Sequence, residues 1–132
     1  MDFSGKVLSS ESAPLTLKAN TASLVMTRDA ADILKGTTVA NALLSVRLVE
    51  AGRVLAGNIL YLAPVKDLVL PKPAIVKTAK SAGGDILVGL RSDRLVKNLY
   101  LSLDDDGGTF SDNYFDMLPA RRPWCASSRR RQ

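Results

Sequence analysis

Histidine is absent from this chain of 132 residues. With it goes the side chain that most often serves as general base and as transition-metal ligand near neutral pH. Cysteine is scarce as well. The single thiol, Cys125, can form no internal disulfide and has no histidine to activate it, so it reads as a plain unpaired thiol and the fold rests on burial. Glutamate occurs only at positions 11 and 50. Both lie in polar or turn-adjacent surroundings without an aromatic platform, where a carboxyl is solvated and ionised, so neither reads as a general acid. No run approaches the roughly 18 apolar residues of a membrane span. The opening MDFSGKVLSS, with an acid at position 2 and no long apolar stretch, does not read as a signal peptide.

What is present is ordinary for a globular protein: 46% apolar and 23% charged residues. Such a composition argues against disorder, and the length has room for one sandwich of about a hundred residues or two incomplete ones. The net charge of +5 raises nucleic acid as a partner, but its distribution lowers it. Residues 1–119 carry 13 Lys+Arg against 13 Asp+Glu, and the five remaining positive charges, Arg121, Arg122, Arg129, Arg130 and Arg131, all fall in the last twelve residues. The basicity belongs to a tail, without a basic stripe interleaved with aromatics. Neither specific nucleic-acid binding nor membrane binding is expected.

Period-2 alternation dominates and points to half-buried strands in antiparallel sheets. It runs through residues 3–8, with a bend at Ser4-Gly5, through Leu15 and Leu17, and through Leu24 and Met26. TRDAADILKG at 27–36 breaks it with early acids, adjacent Ile33 and Leu34, and a closing glycine, which predicts one short helical turn. Strands at 44–49 and 54–62, joined at Ala51-Gly52, form the clearest hairpin. Pro64, Pro71 and Pro73 then punctuate an extended linker or edge strand, which places a domain junction there. Three further strands are predicted at 75–80, 86–91 and 95–103, with turns at Gly83-Gly84 and at 104–108. In the last strand Leu95, Leu99, Leu101 and Leu103 share one face, with Val96, Asn98, Tyr100 and Ser102 on the other.

The densest chemistry is FSDNYFDMLP at 110–119. Phe110, Tyr114 and Phe115 offer large apolar anchors, and Ser111, Asp112 and Asn113 offer acceptors that hold a tight bend by bonding to nearby amides. This is the packed corner of a β-domain, with Phe110 and Phe115 expected in the core. Tyr114, Phe115, Asp112 and Asn113 are the candidate binding residues. Asp104, Asp105, Asp106, Asp112 and Asp116 fall within thirteen residues and raise calcium. An EF-hand alignment that puts Gly107 at loop position 6 leaves Ser102 at position 1 and Asn113 at position 12, so it fails at both ends. A polar hairpin tip is expected, with no metal and no cofactor.

Together with LPKP at 70–73 and GRVLAGNILYLAP at 52–64, the 110–119 motif resembles the C-terminal region of glycoside hydrolase family 2 β-mannosidases. The resemblance runs over about residues 2–119. It implies an all-β fold of immunoglobulin-like antiparallel β-sandwich modules with one short helical turn. The modules are a partial one at 1–64 and a C-terminal one at 65–119, followed by a basic disordered tail at 120–132. The implied role is non-catalytic: to support the catalytic barrel of a secreted or periplasmic mannoside hydrolase, with that barrel as partner and a mannose-containing glycan as a further one. Glycoside hydrolysis needs two carboxyl groups about 5 to 9.5 Å apart, and nothing matches the barrel's motifs, so no catalytic residue is carried over and the isolated chain is not expected to be an enzyme. A carbohydrate-binding module and a free-standing interaction domain are the rival readings. Similar proteins continue after this motif with a glycine-containing turn and a closing strand. Here the continuation is ARRPWCASSRRRQ, without period-2 pattern, and the opening DFSGKVL resembles the middle of a first module, so the region is expected to be truncated at both ends.

Overall fold

The computed structural model describes residues 1–82, 85–103, 108–119 and 124–130, with 82, 108 and 124–130 described by their backbone. The chain divides into two compact units, Met1–Asp2 with Lys6–Leu68, and Phe3–Gly5 with Val69–Gln132. The division thus falls four residues beyond the junction expected at 64/65, and residues 3–5 lie with the second unit.

The first unit is built on a hairpin of β1 (Leu43–Glu50) and β2 (Arg53–Tyr61), paired antiparallel. Its two turn residues, Ala51 and Gly52, have φ of 47° and 79°. Two left-handed residues in succession make a type I′ turn, whose twist matches that of the flanking strands. The register runs from Leu43 opposite Tyr61 to Leu48 opposite Ala56, then shifts so that Val49 faces Val54. Leu55 is the extra residue, a bulge. Opposed residues share a face, so Leu44, Val46, Leu48, Ala56 and Leu60 lie on one side of the ribbon. That side is open: Val46 is 54% and Leu60 58% exposed.

Leu8, Ala42 and Leu43 are buried in this unit. Ala42 and Leu43 are held by an Asp2–Ala42 bridge and by reciprocal 3.0 Å bonds between the backbones of Met1 and Leu43. The expected helical turn is present as α1 (Ala30–Leu34). It ends where Lys35 turns left-handed at φ 46° and donates its amide to the Ala31 carbonyl at 3.3 Å, the αL stop that Gly36, at φ 88°, continues. Two 3-10 turns, Val39–Asn41 and Val65–Asp67, complete the unit. The strands expected within 3–8, at Leu15 and Leu17 and at Leu24 and Met26 are not formed. Alternation marks a strand only where a neighbour takes up its backbone groups, and no described strand pairs with these segments.

The second unit is a sandwich of two antiparallel sheets. The larger has the order β3 (Ile75–Ala82), β4 (Asp85–Ser92), β8 (Trp124–Arg130), β6 (Gly108–Phe110), and the smaller pairs β5 (Val96–Leu99) with β7 (Phe115–Met117). Along β4, Ile86, Val88, Leu90 and Ser92 turn inward while Leu87 and Arg91 are exposed, the period-2 pattern of a strand with one face covered. The core is Leu90, Val96 and Met117, with Val88, Leu99, Leu101 and Phe115 packed against it. Buried Ser92 satisfies itself locally: its hydroxyl donates to the Arg94 carbonyl at 2.7 Å and accepts the Arg94 amide at 3.2 Å.

Buried Phe3 accepts the amide of buried Leu95 at 2.9 Å. Two residues on, Gly5 sits at φ 90°, where an added Cβ would lie 2.9 Å from the Cβ of Pro119. Only glycine fits there, because both the conformation and the space exclude a side chain.

Two expectations are corrected here. Val96 was placed on the face opposite Leu99, yet both enter the core. Asn98, left-handed at φ 52°, shifts the β5–β7 register by one residue, and a one-residue shift exchanges the faces. The tail, expected to be disordered over 120–132, forms β8 over 124–130, between β4 and β6. Ladder hydrogen bonds come from the backbone, so a segment without alternation can still complete a sheet whose neighbours present open edges.

Two predictions follow from this architecture. Ala51→Asn, which tolerates the left-handed conformation better, is expected to stabilise the first unit by about 0.5 to 1 kcal/mol, read as a higher denaturant midpoint with an unchanged slope. A chain ending at residue 119 lacks β8 and bares the β4 edge; it is expected to melt lower and to self-associate in size-exclusion chromatography, and an unchanged melt would refute the place given to β8.

Candidate functional site

The link from β6 to β7 places Asp112, Asn113 and Tyr114, Phe115 opens β7, and each of the four has a different fate. Asn113 is a brace. Its Oδ1 accepts the Leu101 amide at 2.7 Å and its Nδ2 donates to the Leu101 carbonyl at 2.7 Å. The side-chain amide therefore makes the two bonds that a strand residue would make with its partner. Oδ1 also accepts the Tyr114 amide at 3.2 Å, and the Asn113 amide donates to Oδ1 of Asp112 at 2.8 Å. Asp112 thus supports the bend from an exposed position. Phe115 is half-buried against the core. Phe110, expected to share that role, is half-buried at the end of β6, where it pairs with Ser128.

Tyr114 faces outward. It is 68% exposed, left-handed at φ 57°, and stacked on Tyr100 with ring centroids 5.0 Å apart and planes tilted by 29°. Tyr100 is itself 56% exposed. An aromatic residue held left-handed carries backbone strain of about 1 to 3 kcal/mol, and the bonds of the preceding Asn113 to Leu101 and to the Tyr114 amide hold it in place.

The β5–β7 pair also carries an ion pair. Lys97 Nζ is 3.3 Å from Oδ2 and 3.5 Å from Oδ1 of Asp116, with side chains only 14% and 18% exposed. Asp116 Oδ1 also accepts the amide of Asn98 at 2.8 Å. The carboxylate therefore pins the left-handed residue that shifts the β5 register, through a charge-assisted bond in a partly desolvated setting.

The two glutamates lie in the first unit. Glu11 is bonded through both carboxylate oxygens to the Arg28 guanidinium, and that bonding holds its carboxyl below the usual range. A general acid needs the opposite shift. Glu50 ends β1, exposed beside the turn and opposite Arg53. Asp104, Asp105 and Asp106 of the calcium alignment lie outside the described residues.

Residues 1–67 match the family model of the mannosidase Ig/CBM-like domain, and residues 70–123 match that of the Ig-fold domain of mannosidases. The chain belongs to the mannosidase Ig/CBM-like domain family. No curated protein matches it. Such domains are non-catalytic, so the chain is an immunoglobulin-like accessory region of a mannosidase. The second match contains the whole candidate site and stops one residue before β8.

In this mannosidase accessory region the sequence pattern singled out Tyr114 but passed over Tyr100 and Lys97. Tyr100 lies fourteen positions from its partner, and only the β5–β7 pairing brings them together. Its place in the alternation, on the face opposite Leu99 and Leu101, was the signal that could have found it.

The brace at Asn113 has a test with a pH signature. Asn113→Ala is expected to cost about 1 to 3 kcal/mol, because the Leu101 amide and carbonyl lose their partners in a half-buried setting. Asn113→Asp at neutral pH sets a carboxylate oxygen against the Leu101 carbonyl and is expected to be no better. Protonation restores a donor, so the folded state raises that carboxyl's pKa. The recovered stability is present below the unfolded value of about 3.9 and is lost as pH rises through the folded value. Urea melts at pH 3 and pH 7 should therefore show Asn113→Asp gaining on Asn113→Ala in acid alone.

Proposed function

We propose that this chain is the non-catalytic β-sandwich region of a β-mannosidase-like glycoside hydrolase of family 2, in which two consecutive immunoglobulin-like modules support the catalytic barrel during mannoside hydrolysis. The observation that carries the reading is the succession, in one chain, of two matches to mannosidase accessory domains, 1–67 and 70–123. The physical state of the first unit agrees with a supporting role. Its hairpin turns Leu44, Val46, Leu48 and Leu60 to one side, with Val46 and Leu60 more than half exposed. An apolar face of that kind, on a ribbon too thin to cover itself, is what a neighbouring domain covers. The exposed and ion-paired state of Glu11 also agrees, since it keeps that carboxylate charged.

The experiment mixes the full chain with a β-mannosidase lacking its own C-terminal modules and reads complex formation by calorimetry and aryl β-mannoside hydrolysis by absorbance. The chain alone is expected to be inactive, and the mixture to form a complex with higher activity and a higher melting temperature than the truncated enzyme. Val46→Asp with Leu60→Asp should abolish the association. Hydrolysis by the chain alone, removed by Glu11→Gln or Glu50→Gln, would refute the reading. So would the absence of any complex.

A further inference from the structure

The feature that the supporting role does not use is the stacked pair Tyr100–Tyr114. Phe3 is buried and Phe115 half-buried, whereas these two tyrosines are 56% and 68% exposed. Glycine at position 114 would relieve the φ of 57°, so the residue found there is one that costs backbone energy and gains little burial. An observed outlier of that kind is grounds for seeking a ligand.

We propose that Tyr114, backed by Tyr100, is a stacking platform for one pyranose ring of a glycan chain, on the surface of the second unit. The rings stack on one another, and each keeps more than half of its residue's surface exposed. The face of an aromatic ring is electron-rich and attracts weakly positive C–H groups, and a pyranose presents such C–H groups on one face and hydroxyls around its rim. Rim hydroxyls need polar neighbours. The phenol oxygens supply them, and so does Asp112, whose exposed carboxylate keeps acceptor capacity beyond its bond to the Asn113 amide.

Preorganisation supports the same ligand. The stack limits the rotamers of both rings, and Asn113 fixes the backbone beneath them through Leu101 and Tyr114, so little order is lost on binding. Size discriminates between partners. Two half-exposed tyrosines offer on the order of 200 to 300 Å², which suits one or two sugar rings and falls well short of the roughly 1,000 Å² that a specific protein interface buries. The choice of mannose-based probes rests on the mannosidase reading; the platform itself does not.

The test is a titration of the full chain with mannobiose, mannohexaose and the corresponding cello-oligosaccharides, followed by amide chemical shifts and thermal melts. Saturable binding with shifts centred on Tyr100 and Tyr114 is expected, with a millimolar to high-micromolar Kd. Tyr114→Phe should bind within about threefold of the parent, and Tyr114→Ala at least tenfold more weakly. Tyr114→Gly separates ligand from scaffold: it is expected to melt at or above the parent temperature, since strain is relieved, while losing binding. No saturable binding to any probe would overturn the proposal, as would undiminished binding by Tyr114→Gly, or a Tyr114→Ala effect confined to self-association. Binding of cello-oligosaccharides alone would support the platform and count against mannoside chemistry, and a failure to complex with a barrel would leave it untouched.

Discussion

The second unit depends on one constraint, the left-handed turn of the backbone at Asn98. That single residue shifts β5 against β7, so that Val96 and Leu99, three positions apart, both reach the core, and the chain beyond leaves the strand with Leu101 packed inward. A left-handed residue within a strand is unfavourable unless its neighbours hold it. Asp116 does so by accepting the Asn98 amide while paired with Lys97. Fifteen residues downstream of Asn98, Asn113 holds the other end of the segment by its two hydrogen bonds to the backbone of Leu101. The motif at 110–119 is thus less a site than a clamp, and the tyrosine pair is what the clamp presents.

The two units differ in how they obtain stability. In the second, two sheets cover one another and enclose Leu90, Val96 and Met117, so apolar area is removed from water on both sides of a common core. In the first, a two-stranded ribbon carries apolar side chains on an open face, and its buried apolar residues are few: Leu8, Ala42 and Leu43. An isolated hairpin is marginal in water. That imbalance agrees with the supporting role proposed for the first unit, in which a neighbouring domain covers the open face.

Local patterns alone already carried the all-β character, the β1–β2 hairpin with its Ala51-Gly52 turn, the α1 turn and the alternation of β4. Each follows from interactions within a few residues: side-chain period, the φ preference of turn positions, the stop at Lys35-Gly36. The candidate residues at 112–115 were also visible, because three short polar side chains beside aromatics announce a bend. Their separate duties were not, since Asn113 and Tyr114 differ only in what lies across from them.

Tertiary pairing decided the rest. The alternation at Leu15, Leu17, Leu24 and Met26 yields no strand because no described neighbour accepts its backbone, whereas residues 124–130, with no alternation at all, become a strand because β4 and β6 do. A ladder is a property of two segments, and side-chain period in one cannot reveal the other. The same reason hides the tyrosine stack and the exchange of faces at Val96: both arise from a one-residue shift between strands nearly twenty positions apart, and its energy lies in the backbone and its clamps.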